Sequence, residues 1–146
     1  MQGLLLILLA FCMGIMLAVY LPVNSMAAHH LGSPMTANIL FFFAAFLSSI
    51  FILFVFGDYQ TLSNLKTMPF YMFLPGFVGA LMILGTTFLI PKIGARTLFI
   101  MLICGQIMMA IVISHFGALA SPKDPVTLKK MIGVVIMLIG SVLATY

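Results

Sequence analysis

Gln106 stands near the middle of an apolar run of about twenty residues. An unpaired amide in hydrocarbon is costly, so its side chain is expected to face other helices or a cavity. It serves either as interhelical glue, worth about 0.6 kcal/mol and at most about 2 kcal/mol, or as a substrate contact. Asn24 closes the first apolar run. It reads either as a helix terminator at the membrane interface or as a substrate contact at the mouth of a cavity. Tyr20 precedes it by one turn on the same helix face, so the two are placed to line one groove. The other reading of Tyr20 is an aromatic-belt residue. His115 ends the fourth apolar run. Imidazole changes charge near neutral pH, which suits proton coupling; alternatively it interacts with the last carbonyls of its helix.

Other reactive side chains are less telling. His29 and His30 fall in the expected first loop and read as solvated rather than metal-binding. Cys12 and Cys104 lie inside apolar runs and read as buried thiols, without metal spacing or a disulfide framework. Lys92 and Arg96 flank a short turn. They either anchor the chain to lipid headgroups or attract an anionic substrate or lipid phosphate. The chain has no glutamate, and its two aspartates, Asp58 and Asp124, fall in expected loops. Proton exchange through a membrane-embedded carboxylate needs a group whose charge burial suppresses, and none is available. No carboxylate pair, activated nucleophile or metal cluster lies within the apolar runs, so neither an enzyme nor a cofactor is expected.

These residues are positioned by elements that must sit in lipid. The 146 residues are 64% hydrophobic and 5% charged, with a mean hydropathy of +1.33. Soluble domains carry roughly a quarter charged residues. The net charge of +4 is too small for a nucleic-acid surface. A spanning helix needs roughly 20 apolar residues, and such runs occur at about 3–23, 35–56, 69–90, 95–115 and 128–145. Residues 1–22 lack a basic leader, so they are read as a retained helix. Backbone groups in hydrocarbon must be satisfied internally, which runs of this length do as helices. Pro75-Gly76 predicts a kink in the third helix. With five spans, Lys66, Lys123, Lys129 and Lys130 share one side, and Lys92 and Arg96 the other. That bias favours the N-terminus inside. Its margin is small enough to leave dual insertion open.

The most specific motifs lie in the C-terminal half. They are Pro91-Lys92-Ile93-Gly94-Ala95-Arg96, Cys104-Gly105-Gln106, Ser114-His115-Phe116-Gly117 and Pro125-Val126-Thr127-Leu128, before a helix with Gly133 and Gly140. Together with Asn24, Leu31-Gly32 and Ser33-Pro34 they resemble the YdcZ family of small inner-membrane proteins, within the drug/metabolite transporter (EamA-like) superfamily. The resemblance spans essentially the whole chain. It implies an all-α integral membrane protein, a bundle of five transmembrane helices with a half-size transporter fold, in a bacterial inner membrane. Two departures weigh against a transferred proton- or cation-handling role: the family's Asp before His-Phe-Gly stands as Ser114, and its Gln before the Asn as Tyr20.

Gly133 and Gly140 share one face of the last helix with Ala144. Such a smooth face lets a second backbone approach closely. The resemblance implies a subunit interface there, similar to the dimerising helix of small multidrug resistance proteins. Those proteins use a glutamate in their first helix, which this chain lacks. The expected function is a small secondary transporter acting as a homodimer, parallel or antiparallel, or as a heterodimer with a paralogue. Its substrate is expected to be a neutral or anionic small molecule, and lipids its surroundings. The alternatives are a flippase-like carrier of a lipid-linked or amphipathic molecule, marked by a side opening to lipid bordered by Lys92 and Arg96 rather than a closed central cavity, and a non-transporting membrane subunit.

Overall fold

The computed structural model describes residues 2–57 and 59–145. Asp58 lies outside them. Among the described residues the chain is helical, with no strand. Five α-helices are long and apolar enough to cross a membrane. They are α1 (Gln2–Leu31), α2 (Pro34–Phe56), α3 (Leu74–Ile93), α4 (Ala95–Phe116) and α5 (Leu128–Thr145). This is a multi-pass helical membrane protein, and lipid accounts for its surface: large apolar side chains are exposed along every helix.

Helix α1 departs from expectation. Rather than closing at Pro22 and Asn24, it runs on to Leu31, so the expected loop from Asn24 to Pro34 shrinks to Gly32 and Ser33. A proline inside a helix removes one backbone hydrogen bond, and transmembrane helices tolerate that loss where neighbours re-satisfy the freed group. Asn24 and Ser25, just beyond it, do not end the helix because their side chains have a partner, Thr87, on α3. His29 and His30 consequently occupy the last turn of α1 instead of a loop.

The start of α2 follows local rules. Ser33 is the N-cap, with extended backbone and a side-chain oxygen that accepts from the Thr36 N–H at 3.4 Å. Pro34 follows at the first helical position, where its missing N–H costs nothing. Ser49 folds back on its own helix, donating to the Ala45 carbonyl at 2.8 Å.

The segment between α2 and α3 is wound into two short 3₁₀ stretches, Tyr59–Thr67 and Phe70–Phe73. Helix α3 begins only at Leu74, so Pro75 sits in its first turn. The expected mid-helix kink at Pro75-Gly76 is therefore absent: the proline opens the helix.

The chain divides into two compact units, residues 1–92 and 93–146. In the first, α1 packs on α2. Leu21, Asn24, Ser25 and Ala28 form its buried stripe, at the spacing of one helix face. In the second, α4 packs on α5, where Ser141 is buried.

Candidate functional site

The interior of the first unit is polar. Its largest fully buried side chain is Thr87, 1% exposed, and Thr86, Asn24 and Ser25 are buried too. The Asn24 side-chain amide donates to Thr87 Oγ1 at 2.7 Å. The Ser25 hydroxyl donates to the Thr87 carbonyl at 3.2 Å, and that of Thr86 to the Ile83 carbonyl at 2.9 Å. Small residues let α1 approach its neighbours closely, and these bonds satisfy groups that lipid cannot. The side-chain oxygen of Asn38, on α2, is buried without a hydrogen-bond partner.

Beside this polar seam lies a cavity of about 420 Å³, lined by Ser25, Ala28, His29, Gly32, Pro34, Thr87, Phe88, Pro91 and Lys92. It brings together the ends of α1 and α3 and the start of α2. The Lys92 ammonium rests 3.8 Å from the centre of the Phe88 ring, a cation–π contact. Among the described residues the one salt bridge is Lys130–Asp124, so Lys92 has no carboxylate partner there. A second cavity, of about 470 Å³, is lined by Ser33, Pro34, Met35, Leu81, Leu84, Gly85 and Phe88. The two share Pro34 and Phe88. Both volumes fall in the usual range of small-molecule sites.

The second unit is organised by the loop that follows α4. Gly117 ends α4 with a positive φ of 64°, a left-handed cap that favours glycine. A Cβ there would also stand 3.1 Å from Lys123 Cβ. The loop is drawn back onto the helix end: Asp124 N–H donates to the Ser114 carbonyl at 2.8 Å, and the Ser114 and Ser121 hydroxyls lie 3.3 Å apart. The Val126 N–H donates to His115 Nδ1 at 3.1 Å. His115 thus meets a loop amide, not the last carbonyls of its helix. The Lys130 ammonium pairs with Asp124 and donates to the Pro125 carbonyl at 3.0 Å. A cavity of about 320 Å³ here is lined by Ile107, Ala110, Ile111, Ser114, Asp124 and Lys130.

The remaining residues singled out by sequence are dispersed. Tyr20 is 37% exposed, and its ring stacks on Phe41 with centroids 5.6 Å apart. Asn24, expected at a helix end, is inside α1 and holds Thr87; neither it nor Tyr20 lines the cavities above. Gln106 is exposed on α4. Gly133, Gly140 and Ala144 are exposed on α5, and a Cβ added at either glycine meets nothing within 4 Å. Sequence reasoning passed over Ser25, Thr86 and Thr87. Their signal was present: adjacent threonines in the middle of an apolar run, and a serine beside Asn24, are polar groups that need partners.

Comparison with known families places the chain. Residues 5–143 match the family described as "Putative inner membrane exporter, YdcZ", of the drug/metabolite transporter superfamily. The chain belongs to this family and is a membrane transporter of that superfamily. No curated protein and no solved structure matches it.

Proposed function

We propose that the chain is a secondary transporter that exports a neutral or anionic small molecule across the bacterial inner membrane. It has the half-size fold of its superfamily and acts as a dimer whose cavity opens alternately to each side. One observation carries the substrate charge: among the described residues, the cavity between α1 and α3 is lined by Lys92, His29, Ser25 and Thr87, and by no carboxylate. A cationic substrate would meet an unpaired ammonium there, whereas an anion would neutralise it. Coupling through a membrane-embedded glutamate is not available to a chain that has none, and the Asp124 side chain is 65% exposed. His115 remains the proposed coupling group, since Nδ1 cannot both hold a proton and accept the Val126 N–H.

The test is counterflow in proteoliposomes, with panels of organic anions, neutral solutes and organic cations. Transport of an anion or neutral solute, with anion transport lost in Lys92→Gln, is expected. Proton-driven movement of cations that ignores Lys92→Gln would overturn the reading.

One observation favours a flippase-like carrier as the second reading. Met35 and Leu81, on the wall of the apolar cavity, are 69% and 52% exposed. That cavity therefore has an exposed apolar wall, which an amphipathic cargo entering from lipid requires. Acceleration of fluorescent-lipid scrambling in the same vesicles, without solute counterflow, would select this alternative.

A further inference from the structure

The two cavities of the first unit are both largely apolar and share a wall, but only one holds ionisable side chains. The first holds Lys92 and His29. Its hydroxyls are largely committed: Ser25 donates to the Thr87 carbonyl, and Thr87 Oγ1 accepts from Asn24. The donors left for a ligand are the Lys92 ammonium, the His29 ring and the Thr87 hydroxyl proton, and of these Lys92 carries the fixed charge that favours an anion. The second cavity is apolar apart from Ser33, whose side chain is engaged in capping α2. Beyond the Ser33 hydroxyl proton it offers a ligand only apolar surface, from Met35, Leu81, Leu84 and the Phe88 ring. Phe88 lines both cavities and carries the Lys92 ammonium on its face. A cation resting on a ring, with no carboxylate beside it among the described residues, is available to an incoming anion.

We propose that these cavities form one bipartite site for a single-chain amphipathic anion, its headgroup on Lys92 and His29 and its alkyl chain along Leu81, Leu84 and Gly85. The inference rests on the transport reading above and names its substrate class. A charge-complementary headgroup pocket and an adjoining apolar cavity of about 470 Å³ match one polar end and one chain. A two-chain membrane lipid needs a second apolar channel, and neither cavity supplies it.

The test is calorimetric titration of the full chain in phosphatidylcholine nanodiscs with ethyl, butyl, hexyl and octyl phosphate, with empty nanodiscs subtracted. Affinity is expected to rise at least about tenfold from ethyl to octyl phosphate. Lys92→Gln is expected to weaken every member by about tenfold or more, with Lys92→Arg restoring most of it. Gly85 lines the apolar cavity, and a Cβ there meets no atom within 4 Å. Gly85→Leu is therefore expected to fold, to fill that space, and to reduce octyl phosphate to the affinity of ethyl phosphate while leaving ethyl phosphate unchanged. Affinity independent of chain length in the unaltered protein would overturn the proposal, whatever the variants do. So would tight binding of octanol, or displacement of octyl phosphate by phosphatidic acid doped into the nanodiscs. Binding with the expected pattern but no counterflow keeps the site and removes the transport reading. Counterflow of a solute whose binding ignores Lys92 does the reverse.

Discussion

The side-chain amide of Asn24 donates to Thr87 Oγ1 at 2.7 Å, joining residues 63 positions apart in the interior of the first unit. Water is absent from a bilayer core, so each group's alternative is to remain unpaired. Thr87→Val is expected to strand the Asn24 amide and cost about 1 kcal/mol, and at most about 2. Unfolding in mixed micelles measures it. A double-mutant cycle with Asn24→Ala should show coupling, because the two side chains share one bond; additive losses would count against it.

His115 holds the loop after α4 through its bond from the Val126 N–H. His115→Ala should cost about 1 kcal/mol. It should also speed hydrogen exchange at the Val126 amide while leaving the Asp124 amide, held by the Ser114 carbonyl, nearly as protected. Equal loss of protection at both would mean that His115 holds the whole loop, and no loss at either that the Ser114 contact holds it without His115.

The Lys130–Asp124 pair is partly exposed, at 34% and 65% for its two side chains. Pairs in such settings contribute about 0–1 kcal/mol and weaken with salt. Asp124→Asn is expected to change stability by less than about 1 kcal/mol, with the difference shrinking further in high salt.

Open space surrounds Gly133 and Gly140. Leucine at both positions should therefore leave the chain folded, with an unchanged helical circular dichroism spectrum. The same substitutions are expected to abolish crosslinkable dimer, by filling the smooth face that a second backbone would meet. A dimer that persists would remove this face as the interface.

The bilayer as solvent is written in composition, and so are the helices. α2, α4 and α5 begin and end within a residue of where apolar run length puts them, because hydropathy and the Ser33-Pro34 and Gly117 signals are local. What went beyond local reading was the fate of polar residues inside those runs. Asn24 and Pro22 look like a helix end when only neighbours in sequence are considered. They lie inside α1 because Thr87, on another helix, satisfies Asn24 and accepts from Ser25. Pro75 looks like a kink until the 3₁₀ stretch before it moves the helix start to Leu74. That the chain lacks glutamate is fixed by sequence alone, since no fold supplies an absent side chain, and it weighs against exchange through a membrane-embedded glutamate. The pairing of His29 with Lys92 around one cavity depends on the first unit bringing the ends of α1 and α3 together. That juxtaposition is decided by bonds across some sixty residues, which no pattern along the chain encodes.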